Sequence, residues 1–178
     1  MTATALKPFT APRRASRVLP ALVLAAAGAL SALSPLAAAG QGSADVGGLW
    51  YDDTGEGALE FKPCGQRLCA YIVWLKDPIS ERTGKPKADL YNPDASKRSR
   101  PICGLQILGD LARQSDGTWD EGWVYDPKAG KSYDAAVELD GRNKLTMTGY
   151  KGVRFLGKSF TWTRAPDNLP RCQTSSAN

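Results

Sequence analysis

Residues 58–76 read ALEFKPCGQRLCAYIVWLK. Leu59, Phe61 and Pro63 alternate with Ala58, Glu60 and Lys62, the period of two that gives a strand one apolar face. After the break Gly65-Gln66-Arg67-Leu68 the chain turns apolar again, from Ala70 through Tyr71, Ile72, Val73 and Trp74 to Leu75. Two such runs joined by a short glycine-containing link predict a β-hairpin. Cys64 and Cys69 flank the link, where cross-strand neighbours approach closely enough for a disulfide.

Working outward, the same pattern recurs along the chain. A first strand is expected at 47–53, before a turn at Asp53-Thr54-Gly55-Glu56-Gly57. Further strands are expected at 105–111, 119–126, 131–139, 144–150 and 155–164. Tyr133, Ala135, Val137 and Leu139 share one face of their strand. Leu145, Met147 and Gly149 point inward from the next, with Thr146 and Thr148 outward. Strand 119–126 is ambiguous: Trp119, Glu121, Trp123 and Tyr125 share one parity, yet Gly122 and Val124 look like packing positions. Eight strands with short connections and no long amphipathic helix predict an all-β, antiparallel up-and-down barrel, with a β-sandwich as the alternative.

The segment 77–104 differs in kind, with four prolines, many charges and little apolar period. Connections this long inside a domain are usually functional or disordered. Asn92-Pro93-Asp94-Ala95-Ser96-Lys97-Arg98 predicts one helical turn within it, with Asn92 as N-cap and Pro93 as first helical residue.

Residues 1–39 are expected to be a cleaved secretory signal peptide, leaving one domain at 40–178. Lys7, Arg13, Arg14 and Arg17 form a basic start, 18–36 is rich in Ala and Leu, and Ala37-Ala38-Ala39 is a small-residue cleavage site. Pro20 and Pro35 shorten the clean apolar span below the ~20 residues of a membrane-crossing helix. No membrane span is therefore expected after cleavage. The chain holds 23 basic and 18 acidic residues; removing the four leader cations leaves 19 against 18, a balance of +1. That composition gives no support for a nucleic-acid-binding face.

Four cysteines, all beyond the leader, fit an oxidising compartment, the periplasm or the exterior. They allow three pairings, and Cys64–Cys69 with Cys103–Cys172 is preferred over the others and over free thiols. The chain has no histidine, which excludes Ser–His and Cys–His nucleophile pairs and histidine metal sites.

Gly48-Leu49-Trp50 and Arg164 form a second constellation. In a closed barrel the first and last strands are neighbours, so Arg164 can lie over the indole of Trp50, a cation–π contact of ~0.5–2 kcal/mol. The pair resembles the Gly-x-Trp and C-terminal Arg signature of lipocalin-like (calycin) barrels, where its role is barrel closure. A wider ordered set adds Pro63-Cys64-Gly65, Leu68-Cys69 and Ile72-Val73-Trp74-Leu75, then Asp89, Asn92-Pro93-Asp94, Arg98, Arg100-Pro101 and Cys103-Gly104-Leu105. It continues through Gly122-Trp123-Val124-Tyr125-Asp126-Pro127, Gly130-Lys131-Ser132-Tyr133 and Gly149-Tyr150 to Trp162-Thr163-Arg164. This set resembles the exported bacterial proteins grouped as domain of unknown function (DUF) 2147, with Ala70 departing from the family's usual Gly. The resemblance implies a lipocalin-like barrel in the cell envelope and supplies no activity.

Chemistry must come from polar groups that converge. Asp89, Asn92, Asp94, Arg98 and Arg100, with Glu121 and Asp126, are the candidates for it. Asp89, Asn92 and Asp94 invite a calcium site, but the spacing lacks a calcium-loop pattern and turn chemistry already accounts for Asn92 and Asp94. No metal, cofactor or catalytic residue is assigned. The leading expectation is an exported, non-enzymatic barrel that binds a small, partly apolar molecule, with 77–104 at its mouth. Asp89, Asn92, Arg98, Arg100, Tyr71, Trp123 and Tyr125 are its expected contacts. The rivals are an envelope interaction module with a solid core and a protein partner, and a hydrolase built on Asp89 and neighbouring carboxylates.

Overall fold

The computed structural model describes residues 45–172, so the expected signal peptide lies outside the described residues. Eight strands form one closed barrel: β1 (Gly48–Tyr51), β2 (Gly57–Cys64), β3 (Arg67–Leu75), β4 (Gln106–Arg113), β5 (Trp119–Asp126), β6 (Lys131–Leu139), β7 (Lys144–Tyr150) and β8 (Lys158–Arg164). Each pairs antiparallel with the next, and β8 returns to β1 through Trp50↔Arg164 and Tyr51↔Thr163. A sandwich is ruled out because the sheet closes on itself.

The hairpin β2–β3 turns in two residues, with Gly65 at φ +70°, a conformation that only glycine adopts cheaply. Leu59, Phe61, Leu68 and Ala70 point inward, and the disulfide Cys64–Cys69 lies on the outer parity. Inside, Trp50, Phe61, Leu108, Leu111 and Leu145 are fully buried, and the rings of Phe61 and Trp162 pack with centroids 6.0 Å apart. Burying each such side chain contributes roughly 1.5–3 kcal/mol. The end of the barrel that carries the β2–β3, β4–β5 and β6–β7 turns is plugged by Val46, whose carbonyl accepts from the Trp50 indole at 2.8 Å.

Arg164 seals that end. Its guanidinium lies 4.1 Å from the centre of the Trp50 ring. Its Nε donates to the Arg142 carbonyl at 2.8 Å, Nη1 to Gly47 at 3.0 Å and Nη2 to Asp45 at 2.8 Å. The C-terminal tail then climbs the outside of the barrel. Arg171 pairs with Glu60 at 2.7 Å, the Cys172 amide donates to the Val73 carbonyl, and Cys172 is disulfide-bonded to Cys103.

β5 resolves its own ambiguity with a bulge. Glu121 has φ +62° and the register slips between Trp119 and Gly122, so residues on either side of Glu121 change face. Trp119 pairs with Val137 and packs on the core, while Trp123 pairs with Gly109. A Cβ at Gly122 would fall 2.7 Å from Leu111 side-chain atoms, so this glycine lets Leu111 fill the lumen.

Two local expectations are corrected. β8 begins at Lys158, not 155, because Arg154–Leu156 forms a 3₁₀ turn. Thr148 keeps the outward parity expected of it and is covered there, its hydroxyl 2.9 Å from that of Ser159. The turn in the long segment is the 3₁₀ helix Ala95–Lys97, and its N-cap is Asp94, whose carboxylate accepts from the Ser96 amide at 3.0 Å. Asn92, two residues earlier, instead accepts from the Asp94 amide and gives its amide group to a different task.

Closure sets a testable stability. Arg164→Ala should lower the unfolding free energy by about 2 kcal/mol in a urea titration, through loss of the cation–π contact and charge-assisted bonds to half-exposed carbonyls. Arg164→Lys should restore less than half of it, since one ammonium cannot bridge three carbonyls in different directions. Full recovery by lysine would show that charge alone closes the barrel.

Candidate functional site

The segment 77–104 is ordered by its own backbone. Bridges Ile79↔Pro86 and Ala88↔Pro101, and the bonds Ile102 N–H to Lys87 and Asp89 N–H to Arg100, fold it into an irregular hairpin. Its centre is Asp89, which is 0% exposed. The Tyr125 hydroxyl donates to Oδ1 at 2.6 Å; the Asn92 amide at 2.7 Å and the Arg100 Nε at 2.9 Å donate to Oδ2, and Arg100 Nη2 is ion-paired with that oxygen at 2.8 Å. Asn92 also donates to the Tyr125 oxygen at 3.1 Å.

These bonds decide what Asp89 can do. Burial pushes its carboxyl pKa upward, but the hydrogen bonds from Tyr125, Asn92 and Arg100 and the Arg100 charge outweigh burial and hold it below the ordinary carboxylate range. Burial and the neighbouring Asp89 carboxylate push the Tyr125 phenol upward. At neutral pH the site is thus a carboxylate and a phenol, both committed to each other. Asp89 has no oxygen facing solvent, so hydrolysis built on it finds no support in this geometry. Among the described residues no group of three acidic or cysteine side chains is placed to hold a metal ion.

The clasp defines a cleft. Tyr125 and Trp123 share the outward parity of β5, opposite to Val124, which faces the lumen beside Leu108 and Tyr133. Tyr71 on β3 pairs with Gln106 on β4, also on the outer wall. Between this wall and the segment lies an open cleft of about 590 Å³, lined by Tyr71, Trp123 and Tyr125 from the wall and by Asn92, Lys97 and Arg100 from the segment. The long segment was expected at the barrel mouth; its bonded centre lies instead against the outer face of β5.

Of the seven contacts expected from sequence, Tyr71, Asn92, Arg100, Trp123 and Tyr125 line this one cleft. Asp89 sits behind it. Arg98 does not line it; its Nε donates to the Asn92 carbonyl at 2.8 Å and braces the turn. Lys97, Gln106 and Ser132 line the cleft without having been singled out. Ser132 could have been found from the alternation around Tyr133. Gln106 could not, because the register shifts between Ala70 and Tyr71 hide its face.

Two close approaches fix the walls. The Trp123 indole donates to the Asp110 carboxylate at 2.9 Å and lies across Gly109, where a Cβ would fall 2.5 Å from the ring. The Tyr91 carbonyl passes so close to Gly130, itself at φ +64°, that any Cβ there would overlap it.

Asp89→Ala should cost about 2–4 kcal/mol in chemical unfolding, less than a fully buried pair because the half-exposed Arg100 can rehydrate. The pH dependence follows from the lowered pKa. The carboxylate's contribution is fully present above the ordinary value of ~3.9 and is lost as pH falls through the lower folded value. The stability gap between wild type and Asp89→Asn should therefore narrow steadily below about pH 4; a gap that stays constant down to acid unfolding would contradict the ionised clasp. Gly130→Ala should release residues 89–94, read as faster amide exchange there with the barrel strands still protected.

Comparison with solved structures shows similarity to protein HP1028 from Helicobacter pylori, reported as belonging to the lipocalin family. Identity is 25%, the match covers 70% of this chain and 86% of that one, and the TM-score is 0.60. Comparison with curated proteins gives no match. The family model described as "Uncharacterized protein conserved in bacteria (DUF2147)" matches residues 48–164. Those limits coincide with the first residue of β1 and the last of β8, and the chain belongs to this bacterial family, DUF2147, with the fold of a lipocalin-like barrel.

Proposed function

We propose that this chain is an exported lipocalin-like protein that binds a small, partly apolar molecule without converting it, and that the outer-wall cleft is the site. The observation that carries the reading is the cleft's mixed lining. Tyr71, Trp123 and Tyr125 share a space of about 590 Å³ with Asn92, Lys97 and Arg100. Small-molecule sites are concave, mostly apolar, and carry a few fixed polar groups. Among the described residues Arg100 Nη1 has no partner, since Nε and Nη2 both serve Asp89. Together with Lys97 it favours a ligand bearing an acidic or strongly accepting group on an apolar body.

Export is supported by the basic-then-apolar character of residues 1–39 and by the two disulfides. On this reading the mature chain starts at Gly40 and works in the periplasm or outside the cell. The filled lumen also suits the rival reading, an envelope interaction module with a solid core.

The test is extraction of the protein purified from its native envelope, with mass spectrometry of both the intact chain and the extract. We expect a chain beginning at Gly40 and a copurifying molecule. Its rebinding should quench tryptophan fluorescence, and Trp123→Ala should weaken it about tenfold, the scale of one stacking contact. An empty extract, with loss of a captured protein partner on deleting residues 85–97, would instead favour the interaction module.

A further inference from the structure

The connection from β7 to β8, residues 151–157, does something a soluble barrel does not need. Phe155 and Leu156 are 84% and 73% exposed, and Val153 is also largely uncovered. They are not loose. The Leu156 amide donates to the Val153 carbonyl and the Gly157 amide to Arg154, while the Gly152 amide donates to the Asp134 carboxylate at 2.9 Å. Arg154 is turned back to the barrel wall, with its guanidinium 3.3 Å from Asp120 and 3.4 Å from Glu138. The charged residue of the turn is thus held in, and its two large apolar neighbours are held out.

Lysines bracket the turn on both sides. Among the described residues, neither Lys151 nor Lys158 has a carboxylate within salt-bridge distance. Their ammonium groups lie 5.5 Å and 4.8 Å from the ring centres of Tyr133 and Phe160. The nearby acids, Asp120, Asp134 and Glu138, are engaged by Arg154 and the Gly152 amide.

From this arrangement we infer that the β7–β8 turn docks the protein on an anionic phospholipid surface. Phe155 and Leu156 enter the boundary between headgroups and acyl chains, and Lys151 and Lys158 meet the phosphates. Apolar side chains bracketed by lysines are the pattern that binds such interfaces, because burial and attraction to anionic lipid act together. A protein partner fits less well: a convex tip of two large side chains cannot supply the roughly 1,000 Å² of a stable protein interface. The inference is independent of the cleft. The β7–β8 turn leaves the same end of the up-and-down barrel as residues 77–104, so docking would turn that end toward the bilayer.

The experiment is cosedimentation of the envelope-purified protein with vesicles of phosphatidylethanolamine and phosphatidylglycerol, with pure phosphatidylcholine vesicles alongside. We expect binding to the anionic vesicles that weakens as salt rises, and little to phosphatidylcholine. The double variant Phe155→Ser, Leu156→Ser should lose about tenfold or more in partitioning, with its melting temperature unchanged because neither side chain is buried. Lys151→Gln with Lys158→Gln should weaken binding and flatten its salt dependence. Wild-type protein that stays in the supernatant, or a serine variant that sediments as wild type does, overturns the inference. So does self-association in sedimentation velocity that the serine variant abolishes, since the tip would then be a contact between copies.

Discussion

A sheet has two free edges until its first and last strands meet, and here they meet across the shortest strand. β1 has four residues and shares two register pairs with β8. So brief a ladder leaves closure to side chains. Gly48, at φ +100°, brings the backbone close enough for Arg164 to pass: a Cβ there would stand 3.2 Å from its Nη1. Arg164 then covers Trp50 and collects three carbonyls from two separate stretches of chain. The Gly-x-Trp motif and the distant arginine are therefore one unit, and the tail that follows ties the seam to β2, β3 and finally Cys103.

That last tie links closure to the outer wall. Residues 77–104 bury little apolar surface and would be expected to wander. They are held at one end by the Cys103–Cys172 disulfide and in the middle by Asp89. A buried ion pair is weak evidence for stability, because desolvating both charges offsets most of the attraction. Its effect here is on uniqueness: Tyr125, Asn92 and Arg100 converge on one carboxylate and tie the segment to β5. The clasp selects one conformation of the segment more than it adds stability.

The barrel was legible in the sequence because its strands alternate cleanly and its turns carry glycine and aspartate; Leu59 and Phe61, or Leu145 and Met147, allow only one face inward. Both disulfide partners could be chosen because the hairpin brings Cys64 to Cys69 and leaves the other pair. What escaped was set by contacts between distant residues. Asn92 looked like a helix cap because local chemistry permits it, but burial against Tyr125 commits its amide elsewhere, and Asp94 caps instead. Arg98 and Arg100 have the same composition and nearly the same position, and only the fold assigns one to the turn and the other to the cleft. Phe155 and Leu156 read as the start of a strand because apolar residues usually do; their exposure is visible only once the 3₁₀ turn is drawn.

The cleft owes its shape to the core. Trp119 and Trp123 lie four residues apart, and a regular strand would send both to the same face. The left-handed backbone at Glu121 separates them, and Asp110 on the neighbouring strand adopts the same conformation at φ +57°. Neither residue favours it, and such conformations persist only where the surroundings over-determine them. Inside, Leu111 fills the space left by Gly122; outside, Trp123 lies over Gly109 and bonds to Asp110. The two bulges are thus pinned from both faces of the sheet. A shift of Trp123 would require Leu111 to leave a lumen packed by fully buried side chains. The aromatic wall therefore inherits the rigidity of the core, as a preformed binding surface requires.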